Sequence, residues 1–284
     1  MNHLAIVAIL GALACHPRAP IVVPREPPAD ELGVPPRSVP RGEPIAIAIV
    51  PLAIGDARTR HFTSHFVIRD AAHATEPRQV SDKVIALREE LVSIDGEALV
   101  YKATVSEATE TMVLGGESHA QTLLRGAYIV GVFPPGGAHV AGAARADHSE
   151  LGDRELAEID EQYGVDAGRP TPVARIVAAH PLRAGESIAL SEAERRVYHG
   201  GETLDAPVAL TAIAASGATA TYQLDAVYRL VDGTRTTERR LRMTYELERA
   251  SGRTVRIVGT QHDVESDPTS RETRDLEQRV EFAR

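Results

Sequence analysis

"PLAIGD" at Pro51–Asp56 and "PLRAGE" at Pro181–Glu186 share the pattern Pro-Leu-x-x-Gly-acid, 130 positions apart. If both head equivalent units, later features should recur in the same order. "VSIDGEALVYKATV" (Val92–Val105) lies against "IAASGATATYQLDA" (Ile213–Ala226), so that Gly96 matches Gly217 and Tyr101 matches Tyr222 at an offset of 121. "GAYIVGVFPPGGAHV" (Gly126–Val140) lies against "RMTYELERASGRTV" (Arg242–Val255). There Tyr128 matches Tyr245 at 117, and Gly137 and Val140 match Gly252 and Val255 at 115. The falling offset is what short deletions in a second copy produce. The body of the chain reads as a diverged duplication.

Local patterning makes each copy β-rich. In "YQLDAVYRL", Tyr222, Leu224, Ala226, Tyr228 and Leu230 alternate with more polar positions, the period of a strand with one buried face. Leu99, Tyr101, Ala103 and Val105 form the matching face in the first copy. "LRMTYELERASGRTVRIVG" predicts a hairpin with Met243, Tyr245, Leu247, Val255 and Ile257 facing in, and a second hairpin turns at Asp232–Gly233. "PIAIAIVPL" predicts a strand bounded by Pro44 and Pro51. Helix is expected at Ser149–Gly164 between the copies, followed by a loop, and in the short stretches "GESHAQTLLR" and "LSEAERRVY". The expected fold is mainly β with minor α: two related antiparallel β-rich lobes with short helical insertions, after a signal peptide and a Pro-rich tether.

The chain has 284 residues, with aromatics at 4% and no Trp, so its core must be built from Val, Ile, Leu and Ala. A net charge of −9 and the lack of a Lys/Arg cluster argue against nucleic acid as a partner. "MNHLAIVAILGALAC" carries an apolar run, Leu4–Ala14, too short to span a bilayer and suited to a signal peptide. Small residues before Cys15 in "ALAC" resemble the lipobox of bacterial lipoproteins, although Ala12 stands where Leu is usual and the first residues lack Lys and Arg. That resemblance covers only the first 15 residues and implies cleavage before Cys15, lipidation of its thiol and an anchor in the bacterial envelope, at the outer membrane. Cys15 is the only cysteine, so a lipidated thiol also explains an otherwise unpaired one. Eight prolines between Pro17 and Pro40 then make an extended spacer. The expected division is 1–14 signal peptide, 15–42 lipidated Cys and linker, 43–145 first lobe, 146–180 helix and connecting loop, 181–265 second lobe and 266–284 charged tail, frayed or ending in a short helix.

Candidate chemistry is sparse. His61, His65, Asp70 and His73 would share a metal on a helix, but this stretch is strand-prone, and four positions along a strand separate ligands by about 13 Å. Gly116-Glu117-Ser118-His119-Ala120 resembles the nucleophile elbow of α/β-hydrolases, with Ala in place of the last Gly, and His262 comes late enough to be a base. The flanking hairpins do not suit that fold. The acids Asp147, Glu150, Asp153, Glu155, Glu158, Asp160 and Glu161 lack the spacing of a calcium loop and read as a solvated helix face. No catalytic, cofactor-binding or metal residue is assigned, and no cofactor is expected. The sequence favours a non-catalytic, membrane-anchored envelope lipoprotein, a binding or assembly protein whose partner, an envelope protein or an apolar ligand, it does not identify. The alternatives are an envelope hydrolase using Ser118, or a carrier of an apolar ligand held in a groove of Leu99, Tyr101, Val105, Tyr222, Leu224 and Tyr228.

Overall fold

The computed structural model describes residues 41–70, 75–95, 98–132, 140–163, 170–198, 208–232 and 234–283. The elements run β1 (Ala57–Asp70), β2 (Gln79–Asp95), β3 (Ala98–Leu114), β4 (Glu117–Thr122), β5 (Ala127–Val132), β6 (Val140–Arg145), α1 (Asp153–Tyr163), α2 (Pro172–Ala179), β7 (Ser187–Ala189), α3 (Glu192–Tyr198), β8 (Val208–Ser216), β9 (Thr219–Asp232), β10 (Arg235–Glu248), β11 (Thr254–Ser266) and β12 (Arg271–Ala283). The strands form one antiparallel sheet in the order β6-β5-β3-β2-β1-β12-β11-β10-β9-β8-β7, with β4 added against the end of β3. The mainly β class with few short helices is as expected from the sequence.

The two β-rich halves are not separate lobes. β1 and β12 pair from Thr59↔Ala283 to Asp70↔Glu272 and weld the halves into one sheet. The charged C-terminus is therefore neither frayed tail nor helix. Leu276, Gln278 and Val280 alternate with Glu277 and Arg279 along β12, so over this stretch the charges face out and the other side chains are buried. Cross-strand neighbours Tyr222, Tyr245, Ile257, Val280, Phe62 and Ile85 make one row through the weld, each at most 4% exposed. Burying each such side chain contributes about 1.5–3 kcal/mol.

The duplication is visible in hydrogen bonds. In "PLAIGD", Ala53 N–H donates to Asp56 Oδ2 at 2.9 Å and Asp56 N–H to Ala53 O at 2.9 Å. In "PLRAGE", Arg183 N–H donates to Glu186 Oε2 at 2.8 Å and Glu186 N–H to Arg183 O at 2.9 Å. Gly55 and Gly185 sit at φ 92° and 81°, which the motif reserves for glycine. Both turns then dock on the next strand alike. Gly55 N–H donates to Leu91 O and receives its return bond through Leu91 N–H to Asp56 O; Gly185 and Glu186 do the same with Ala212. Leu91 faces Tyr101 and Ala212 faces Tyr222, and each strand bulges just beyond, at Leu91/Ser93 and Ala212/Ala214. A second pair of bulges falls at Gly131/Val132 and Glu246/Leu247. Bulges of this kind are built-in features of a fold, and their recurrence in order marks two copies of one meander.

Two details correct the sequence alignment. Tyr101 faces Val130 whereas Tyr222 faces Tyr245, so Tyr245 corresponds to Val130 at 115, and Tyr128 to Met243. "GESHAQTLLR" is strand β4, not helix, because it continues the turn at Gly115–Gly116 back along β3. The segment "PIAIAIVPL" is extended and buries Ile45 and Ile47, yet it lies outside the sheet. Its N–H groups bond to Leu182 O, Arg249 O and Ser251 O, which belong to a loop and a turn.

Helices α1 and α3 lie where the sequence placed helix, and α2 falls in the expected loop. Thr171 caps α2 by accepting from Ala174 N–H at 3.2 Å, and Pro172 opens its first turn. Val173, Ala174 and Val177 are fully buried, so α2 is part of the core that covers the sheet.

Candidate binding site

The face of β1 that carries Phe62 also carries Arg58 and Arg60, since side chains two apart share a face. Arg60 is 4% exposed. On β2, Glu89 stands opposite Arg58 and is 1% exposed. Arg58 Nε donates to Glu89 Oε2 at 2.6 Å and Arg60 Nη1 to Glu89 Oε1 at 3.4 Å. Burial opposes ionisation of Glu89, but the two guanidinium groups outweigh it and hold the carboxyl below its ordinary range. Arg58 also lies over Phe282, 4.2 Å from the ring centre, and Arg60 lies 5.8 Å from that of Tyr163.

This trio borders a cavity of about 140 Å³. Its walls are the sheet at β1, β2 and β10–β12, the segment Val50–Ala57, the end of α1 at Gln162 and the start of α2 at Thr171. Leu52, Leu91, Ile257, Val280 and Phe282 supply the apolar lining. At the rim, Arg253 Nη2 donates to Asp56 Oδ2 at 2.7 Å, so the acid of the first repeat motif is tied to the hairpin of the second half.

α1 covers the neighbouring part of the sheet through polar contacts. Lys83 of β2, 5% exposed, donates to Glu158 Oε2 at 2.9 Å and Glu161 Oε2 at 3.0 Å. Glu155 accepts from Arg145 at 2.5 Å and from the Tyr128 hydroxyl at 2.9 Å. Burial and the Glu158 charge push the Glu161 carboxyl up to about 7. Tyr163 is raised well above its ordinary value by burial and by Glu89. The acids of α1 are therefore not a simple solvated face: Glu158 is 6% exposed, although Asp153 and Asp160 are exposed as expected.

The other sequence candidates stay apart. His61, His65 and Asp70 are exposed on β1, and His65 pairs with Asp82 at 2.7 Å. Cys15 and His73 lie outside the described residues. Among the described residues no group of three or more His, Cys, Asp or Glu could hold a metal ion. Ser118 and His119 are exposed on β4, whereas His262 is on β11 and bonds Asp275 at 2.6 Å. Five strand spacings, about 24 Å along the sheet, separate Ser118 from His262. The elbow thus has neither its strand-to-helix turn nor this base. Of the six groove residues, Tyr101 lines the cavity; Leu99, Tyr222, Leu224 and Tyr228 are buried in the core and Val105 packs against it. The sequence reading passed over Arg58, Arg60 and Glu89, although their spacing to Phe62 and Leu91 placed them on the buried face.

No protein-family model matches the chain, and no curated protein matches it. Among solved structures, a DUF1329 family protein from Desulfovibrio piger is 9% identical, with 78% of this chain and 83% of that chain covered and a TM-score of 0.17. A protein of Bacteroides fragilis assigned provisionally to the outer membrane is 8% identical, with 79% and 96% covered and a TM-score of 0.10. Similarity at that level carries no inference about this chain.

Proposed function

We propose that this protein is a non-catalytic, lipid-anchored binding protein of the bacterial cell envelope, held at the outer membrane through Cys15. Its Pro-rich tether sets the β body off from the bilayer. The ligand site in this reading is the cavity between the sheet, Val50–Ala57 and the α1–α2 cover, not a groove among the core tyrosines. The observation that carries the reading is that cavity: an apolar chamber bordered by a few buried polar groups, the usual make-up of a small-molecule site.

Two measurements test it. Cys15→Ser should move the protein from the detergent phase to the soluble periplasmic fraction; unchanged fractionation with an unmodified thiol in intact-mass analysis refutes the anchor. Native mass spectrometry of protein purified from membranes should show a bound small molecule, and a hydrophobic dye should bind saturably. A ligand-free mass without saturable dye binding removes the small-molecule site.

A further inference from the structure

The two copies of the meander provide an internal control for the buried charges. Arg58 and Arg60 lie two and four residues after the acid of "PLAIGD"; the same positions after "PLRAGE" are Ile188 and Leu190. Glu89 precedes Leu91 by two, and Leu210 precedes Ala212 by two. The correspondence holds in the sheet, where Arg58 faces Glu89 and Ile188 faces Leu210. Arg60 faces Leu87, and Leu190 N–H donates to Val208 O, the position matching Leu87. One fold thus fills the same three places with an ionic trio in one copy and with aliphatic side chains in the other. Buried ion pairs are commonly no more stabilising than apolar residues in their place, so packing alone does not call for the trio.

The trio is also incompletely satisfied. Glu89 offers one negative charge to two guanidinium groups. Arg58 Nη2 and Arg60 Nε are buried without a hydrogen-bond partner among the described residues. Across the cavity the same holds for Arg253 Nε and Thr254 Oγ1, and Gln162 contributes one unpartnered acceptor, Oε1. Natural proteins pair nearly all such groups. The excess is of donors, around a trio of net charge +1, next to an apolar wall of Leu52, Ile257 and Phe282.

We infer that the cavity takes an amphiphile with an anionic, oxygen-rich head, the head received by Arg58 and Arg60 and the tail running along the apolar wall toward Val50. This rests on the binding-protein reading above and names the ligand class for its site. A carboxylate held by the guanidinium groups of Arg58 and Arg60, which line the cavity, would neutralise the surplus charge of the trio, while an acyl chain replaces water on Leu52, Leu91 and Phe282. Val50 lines the cavity and is 43% exposed, so a tail longer than the chamber has an outlet there. Asp56 and Glu248 also border the cavity; Asp56 is held by Arg253, and Glu248 accepts from the Ser251 hydroxyl.

The test is a titration of delipidated full-length protein with decanoate, decanol and decyltrimethylammonium by calorimetry, repeated on variants. Decanoate should bind at least tenfold more tightly than decanol, the scale of one charge-assisted hydrogen bond, and the cation least. A triple variant, Arg58→Ile with Arg60→Leu and Glu89→Leu, copies the second half and should keep the fold by circular dichroism. It should bind decanoate and decanol within about twofold. Arg60→Lys, which keeps the charge, should retain a preference for decanoate. Equal binding of decanoate and decanol by the native chain, or a preference for the cation, overturns this inference and leaves the binding-protein reading standing. No binding of any of the three overturns both.

Discussion

The two halves of the sheet reach the same geometry with different chemistry at equivalent places. In the first half, Arg58 and Glu89 face each other across β1 and β2; in the second, Ile188 and Leu210 face each other across β7 and β8. The turn before each pair has the same four hydrogen bonds and the bulge after it falls at the same step. Backbone and packing thus tolerate either solution. The second half fills these places with aliphatic side chains, whereas the ionic trio of the first borders the cavity and carries spare donors. The difference teaches that this ionic trio goes with the cavity it borders and is not required by the backbone that carries it.

The comparison breaks most readily at Glu89. Glu89→Leu alone leaves a buried Arg60 and a partly buried Arg58 without their carboxylate, and should destabilise by about 3–5 kcal/mol in urea unfolding. The triple change to Ile, Leu and Leu should return to within about 1 kcal/mol of the native chain or exceed it. A triple variant as unstable as Glu89→Leu would show that the halves are not interchangeable and that the trio is structural.

Much of this contrast was present in the sequence. The Gly turns at Gly55 and Gly185 and the Tyr101/Tyr222 match located the repeat because glycine at positive φ and inward tyrosines are local needs, while Gly96 lies outside the described residues. The register beyond β3 was not legible. Deletions fall in turns, and only strand pairing shows that Tyr245 stands where Val130 does. β12 was hidden by its charge: half of its residues face water and overwhelm a composition-based reading. The site was missed for the converse reason. Arg58, Arg60 and Glu89 were passed over, although the period of two that buries Phe62 on β1 and Leu91 on β2 turns them to the same face. Glu158 and Glu161 went the same way, since a helix face rich in acids reads as solvated until the sheet offers Lys83 beneath it.

That α1 clamp sharpens the comparison through pH. Glu161 carries a folded-state pKa of about 7 against an ordinary 4.5, with Lys83, Glu158 and Glu110 as its charged surroundings. An acid whose pKa is raised on folding binds its proton more tightly in the native state. Its penalty is absent below about pH 4.5, grows as pH rises through 7, and is complete above that. The native chain should therefore lose about 3 kcal/mol between pH 4.5 and 8 from this group. Glu161→Gln should flatten that part of the profile. An unchanged profile in the variant would place the pH dependence elsewhere than in the cover of the first half.

The turn between β10 and β11 is the second half's counterpart device, seating the segment that walls the cavity. Gly252 has φ 69°, and a Cβ there would stand 2.6 Å from Ile49 Cδ1 and 2.8 Å from Ala48 O. Gly252→Ala adds left-handed strain to that contact and should cost about 2 kcal/mol. The shift should also loosen Ile47–Leu52, visible as faster amide exchange at Ala48 and Val50, whose N–H groups bond to Arg249 O and Ser251 O. Exchange unaltered at those two amides would separate the segment from the turn.

The smallest effects belong to the outer face, where exposed His–Asp pairs bridge neighbouring strands. His65 meets Asp82 at 2.7 Å between β1 and β2, and His262 meets Asp275 at 2.6 Å between β11 and β12, with about half of each histidine side chain exposed. Solvent screens such pairs, and holding two mobile side chains together opposes the gain. Asp275 has a second partner besides, Arg69 at 2.6 Å, so losing His262 leaves it paired. His65→Ala and His262→Ala should each change stability by less than about 0.5 kcal/mol, and neither should alter the preference between decanoate and decanol. A loss above about 1.5 kcal/mol at either position, or a changed ligand preference, would mean that the outer face is coupled to the cavity. The contrast between the halves would then no longer lie on the inner face alone.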